Sequence, residues 1–134
     1  MKYLIAILIC ICTFNLKAQT HVNLKKIKPD TSFQNIHIQK LSSDSLQSTF
    51  IIWVKKNVKN HFHAFHSENI YIIEGKAEMT LGDKTIKIKP GDYLNFPKGV
   101  KHSIIKVTSS KPLKVISVQS PQFIGKDRVF VNEN

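Results

Sequence analysis

From Asn35 to Val118 the apolar residues come in short bursts, and no stretch sustains a helical period. Several bursts alternate apolar with polar, as in KTIKIK at residues 84–89. This puts the apolar side chains on one face of an extended strand. The bursts are rich in Ile, Val, Phe and Tyr, which suit a half-buried pleated surface. They predict strands at Ile36–Leu41, Leu46–Val54, His61–Ala64, Ile70–Glu74 and Ala77–Leu81. Further strands follow at Lys84–Ile88, Asp92–Phe96, His102–Val107 and Leu113–Val118. Gly82 and Asp83 separate two alternating runs and predict a two-residue hairpin turn. Pro90-Gly91-Asp92 and Pro97-Lys98-Gly99 are further turn signals. About nine short strands at this spacing predict an all-β sandwich or barrel rather than a parallel α/β sheet.

The N-terminus follows a different pattern. Lys2 precedes an apolar run from Leu4 to Phe14, and a polar segment ending at Ala18 follows. The run is shorter than the roughly 20 residues a spanning helix needs. It is expected to be a secretory signal peptide, residues 1–18, cut after Ala18. That implies a periplasmic or secreted protein with no stable membrane insertion after cleavage. Both cysteines, Cys10 and Cys12, lie in the run, so the mature chain is expected to lack disulfides, thiolate ligands and a cysteine nucleophile. The expected organisation is then a flexible lead-in at 19–34, a barrel at 35–120 and a C-terminal extension at 121–134. The extension begins with turn chemistry and ends β-rich, as if to cap the barrel or add a strand to a partner's edge.

The chain of 134 residues carries a formal charge of +11, which drops to +9 once Lys2 and Lys17 are removed. Its lysines are spread along solvated strand faces, and Arg128 is the single arginine. An arginine-rich cluster or aromatic stacking motif is missing, so no nucleic-acid partner is expected. A small anionic ligand agrees better with the charge.

Three of the six histidines fall within HFHAFH, residues 61–66, and Glu68 follows. His61 and His63 are i and i+2 on a strand, so their rings share a face, about 6.5–7 Å apart along it. Glu68 opens the next strand after the turn Ala64–Ser67, and a hairpin-like return would bring its carboxylate beside them. His102, after the Pro97–Gly99 turn, is the obvious fourth group. Nitrogen and oxygen donors of this kind suit a divalent transition metal. Taken singly, each residue also reads as an ordinary surface group, and His66 as either a solvated turn residue or a support for the site.

Together the spacings are more specific. The first block runs His61-x-His63, four residues, Glu68, six residues, Gly75. The second runs Gly91, five residues, Pro97-x-Gly99, two residues, His102, and 15 residues separate Gly75 from Gly91. This pattern resembles the two signature motifs of the cupin family over roughly Ile51 to Val118. The resemblance implies a single double-stranded β-helix, a jelly-roll barrel, holding one metal: Mn, Fe, Ni, Cu or Zn. Its ligands would be His61, His63, Glu68 and His102. The resemblance also implies a homodimer. Two motif positions differ: Lys55 stands where the family's first motif opens with glycine, and Lys106 where its second often ends in asparagine.

Three kinds of function fit these residues. One is a metal-dependent enzyme acting on a small oxygen-rich molecule, such as an acidic sugar or a carboxylate. The others are a non-enzymatic ligand-binding module and a metal-handling protein. The cupin barrel hosts all three. By residue type alone, Glu74, Glu78 and Tyr93 are candidates for a general base. Phe62, Phe65, Tyr71, Tyr93, Phe96 and Trp53 are candidates for pocket wall.

Overall fold

The computed structural model describes residues 21–131, and the expected signal peptide lies outside the described residues. Among the described residues ten strands form: β1 Ile36–Ser43, β2 Ser48–Val54, β3 Val58–His63, β4 Ser67–Glu74 and β5 Ala77–Leu81. They continue as β6 Lys84–Ile88, β7 Tyr93–Phe96, β8 His102–Val107, β9 Leu113–Ser120 and β10 Arg128–Phe130. They make two five-stranded antiparallel sheets, ordered β1-β2-β9-β4-β7 and β10-β3-β8-β5-β6. The alternating rows of the two sheets face each other, which makes the double-stranded β-helix expected from the sequence.

The inward rows supply the core. Val54, Ile72, Met79, Ile88, Phe96, Leu113 and Val115 are buried in one apolar cluster. Gly82 and Asp83 form the expected hairpin, with Leu81 paired to Lys84 across it. Gly75 ends β4 at φ 82°, and a Cβ there would stand 2.6 Å from the Pro112 carbonyl oxygen and 2.7 Å from the Leu113 Cα. Only glycine meets both the left-handed backbone and that close approach.

Beyond shifts of one or two residues at the ends of β1, β2, β7 and β9, the structure differs from the strand reading in three places. Strand β3 starts at Val58, not His61: Val58 pairs with Ile104 of β8, and a register break between Val58 and His61 accommodates the polar residues Lys59 and Asn60. Strand β4 starts at Ser67, where polar residues pair with Ser120, Gln119 and Val118 of β9. The C-terminal extension contributes β10, which pairs with β3 of its own chain: Arg128 with His63, Val129 with Phe62 and Phe130 with His61.

Two sequence features also find their places. Residues of the lead-in lie against the outside of the first sheet, where the buried Lys114 ammonium donates to the carbonyls of Ile27 at 2.7 Å and Lys25 at 3.3 Å. The turn at Lys55 needs no glycine, since no non-glycine residue among those described has positive φ. That turn is tied instead by Asn35, whose Oδ1 accepts from the backbone of Lys56 and Asn57.

Candidate metal centre

His61 and His102 are direct cross-strand partners on β3 and β8, with ring centroids 4.3 Å apart. His63 follows His61 on the same inward row. One ligand nitrogen from each of the three rings lies within 4.8 Å of the others, and all three residues are buried. Glu68 arrives from the opposite sheet. The expected hairpin return is therefore corrected: β4 pairs with β7 and β9, not with β3, and the carboxylate crosses the barrel interior instead. Its Oε2 lies 3.3 Å from His102 Nε2 and 3.4 Å from His63 Nε2.

The surrounding groups fix which atoms face inward. His61 Nδ1 donates to the Lys59 carbonyl at 2.8 Å, and His102 Nδ1 to the Val100 carbonyl at 3.0 Å. Each bond leaves the Nε2 lone pair free to face the centre. Glu68 Oε1 accepts from Ser117 Oγ at 2.5 Å and Gln119 Nε2 at 3.1 Å, which leaves Oε2 for the histidines. Phe96 stacks on His102 at 4.2 Å and fixes the plane of that ring.

The electrostatics agree with this arrangement. Burial lowers the His61 pKa to about 4, and nearby His102 and Arg128 add to the effect. Burial alone would raise the Glu68 pKa, but His102, His63 and the Ser117 hydroxyl outweigh it and hold the carboxyl far below its ordinary range. His61 is thus held as a neutral imidazole near an ionised Glu68, the donor state a metal requires. His63 Nε2 and His102 Nε2 are buried with no hydrogen-bond partner. Orphaned buried nitrogens of this kind are costly, and a divalent cation would satisfy both at once, so the residues fit the metal.

His66 is not a solvated turn residue. It is buried, its Nε2 donates to the Gln122 carbonyl at 2.9 Å, and its Nδ1 donates to Asp127 Oδ2. The same Asp127 oxygen lies 3.4 Å from His63 Nδ1. Burial opposes ionisation of Asp127, but His66 and the backbone amides of Phe65 and His66 keep its pKa below the ordinary value. A carboxylate behind a ligand histidine orients the ring and raises its basicity. Sequence reasoning missed Asp127 because it lies on the C-terminal extension, 61 residues from His66. It also missed Ser117 and Gln119. The signal for those two was present: along β9 the buried row runs Leu113, Val115, Ser117, Gln119, changing from apolar to polar along one face.

Other sequence candidates lie elsewhere. Glu74 pairs with Lys111 at 2.6 Å on the surface, Glu78 pairs with Lys106 at 3.2 Å, and Tyr93 is exposed. None of the three faces the interior cavity. Phe65 and Tyr71 are exposed, and Trp53 is buried on the outward row of β2 beneath the lead-in, near Lys114. An interior cavity of about 70 Å3 does open beside the histidines. His61, Glu68, His102 and Arg128 line its polar end, while Ile52, Ile70, Leu94 and Val115 line part of the rest.

A family model described as "Cupin domain" matches residues 49–119. The chain is a member of the cupin family. This cupin is 31% identical to an uncharacterized protein of Aquifex aeolicus over 100 residues, covering 75% of this chain and 81% of that one. Its fold matches an uncharacterized conserved protein with a double-stranded β-helix domain from Klebsiella pneumoniae. The TM-score is 0.71 at 16% identity, over 87% of this cupin and all of that chain. Streptomyces Pac13, solved with uridine, matches with a TM-score of 0.65 at 12% identity, over 86% of this cupin and 92% of that chain. At these identities the two structures carry the fold alone. The cupin domain of this chain thus holds a histidine cluster with the geometry to bind a metal.

Proposed function

We propose that the protein is an exported, metal-dependent cupin that presents one divalent transition metal to a small oxygen-bearing molecule. His61, His63, His102 and Glu68 would hold the ion, and Mn, Fe, Ni, Cu and Zn all suit nitrogen and oxygen donors. The observation that carries the reading is the convergence of buried ring nitrogens, two of them without a hydrogen-bond partner, around an ionised Glu68. When bound, the metal supplies a Lewis acid for an oxygen of the ligand. The chain's own residues supply the rest. Lys59 and Val100 carbonyls hold the tautomers, Asp127 backs His63, and Ser117 and Gln119 hold Glu68. Export rests on the apolar run at Leu4–Phe14.

Binding without turnover is the second reading. Apart from the proposed ligands, the polar side chains lining the cavity are Ser103 and Arg128, so no further carboxylate or imidazole stands ready as a base. A homodimer belongs to either reading. Tyr71 and Tyr93 are a cross-strand pair with 46% and 63% exposure, an aromatic patch available to a second copy. Light scattering that gives a monomer at micromolar concentration removes that part.

The deciding experiment is elemental analysis of protein purified from the periplasm, alongside His63→Ala and His102→Ala. The expected result is near-stoichiometric metal in the wild type and loss in both variants. Equal metal in all three refutes the centre. A ligand recovered unchanged after saturating incubation favours binding over turnover.

A further inference from the structure

We infer that Arg128 is the anion-recognising residue of this site, and that the ligand is a small carboxylate bearing a short apolar chain. The inference rests on the metal-site reading above and names its ligand class.

Arg128 is the single arginine of the sequence and lies outside both motif blocks. Strand β10 carries it opposite His63, and it lines the cavity with His61, Glu68 and His102. None of the ion pairs among the described residues uses it. Its Nε is buried and has no hydrogen-bond partner. The two acids nearby are already committed. Glu68 faces the histidines, Ser117 and Gln119, and Asp127 holds His66 and the Phe65 amide. A guanidinium carries five donors in a planar fork that matches a carboxylate bidentately. An unpaired fork beside a metal centre is therefore a built receptor for a ligand carboxylate.

The remainder of the cavity sets the other end of the ligand. Its walls beyond the polar end are mainly Ile, Val, Leu and Met side chains. Sugar hydroxyls placed against them would lose water without finding partners, at a cost of about 1–3 kcal/mol each. The cavity of about 70 Å3 is far below the roughly 300–1,000 Å3 of pockets for larger ligands. Only a short chain fits. Ile36 and Ile38 line this cavity while remaining 37% and 43% exposed, so its mouth lies along edge strand β1.

The test titrates butanoate, butanamide and galacturonate into metal-loaded full chain by calorimetry. The samples are wild type, Arg128→Lys and Arg128→Gln, each with its metal content and melting temperature recorded. Butanoate is expected to bind wild type at least tenfold tighter than butanamide, and tighter than galacturonate. Arg128→Gln is expected to abolish the preference for carboxylate over amide while keeping metal and melting temperature, and Arg128→Lys to retain part of it. Three results overturn the inference: no butanoate binding, equal affinity for butanoate and butanamide, or a preference that survives Arg128→Gln. Tighter galacturonate overturns the apolar half. The wild-type comparison needs no variant, so misfolding of Arg128→Gln leaves it decisive. A wild type that holds no metal refutes the metal reading, while its preference between butanoate and butanamide still decides the role of Arg128.

Discussion

The two ends of the barrel interior are built by the same strands and do opposite things. On β4 the inward row starts with Glu68 and continues as Ile70 and Ile72. On β9 it starts with Leu113 and Val115 and ends with Ser117 and Gln119. On β8, His102 is followed by Ile104. One end is thus an apolar core whose side chains also wall the interior cavity, and the other is a polar cage with nitrogens left unpaired. The difference shows that burial alone does not mark function. The apolar side chains pack against one another, whereas at the polar end His63 Nε2 and His102 Nε2 are buried without a hydrogen-bond partner.

Several measurements would break or sharpen this contrast. Ile72→Ala, at a site with 1% exposure, is expected to cost about 2–5 kcal/mol of stability while leaving metal content unchanged. Denaturant unfolding with elemental analysis checks it, and loss of metal would show that the two ends are not separable. His102→Ala is expected to do the reverse. Metal at a hundredfold excess over Kd should stabilise wild type by about 2.7 kcal/mol, and that increment should vanish in the variant. Thermal melts with and without metal read it directly.

Acid should act chiefly on the polar end. The His61 pKa is lowered to about 4 in the fold, so between the ordinary 6.5 and 4 the unfolded chain binds the extra proton. Stability of the metal-free protein should therefore fall as pH drops through that window, by about 3 kcal/mol. Below 4.5 Glu68 adds to the loss, since its depressed pKa keeps it ionised in the fold while the unfolded chain protonates. Urea titrations across pH 7 to 4 check the slope, and a flat profile would mean that His61 takes up its proton in the fold over the same pH range as in the unfolded chain. A smaller effect is expected from Asp127→Asn, which keeps the shape but removes the charge behind His63. Metal affinity should fall at least about tenfold, measured by competition with a chelator. Unchanged affinity would reduce Asp127 to a partner of His66.

The cage was partly legible in the sequence. His61 and His63 share a face because i and i+2 on any strand do, and burial of both follows the alternation. His102 and Glu68 were reached by local turn geometry and tied together by the motif spacing, but the hairpin-like return placed Glu68 on the wrong sheet. Asp127 and Arg128 gave no local signal, since each looks like a solvated charge in GKDRVF. Their roles depend on a strand of three residues adding to β3.

By itself the sequence determined the strand spacing, the Gly82–Asp83 hairpin, the glycine at position 75 and the donor types of the cage. These follow from alternation, turn chemistry and backbone sterics, which act over a few residues. Only the tertiary structure decided that Glu68 crosses from the opposite sheet, that His66 is locked by Asp127, and that Arg128 faces the cavity with no acid beside it. Those contacts join residues tens of positions apart, such as His66 and Asp127. They depend on which strands pair and in what register, and a slip of one residue turns an inward side chain out.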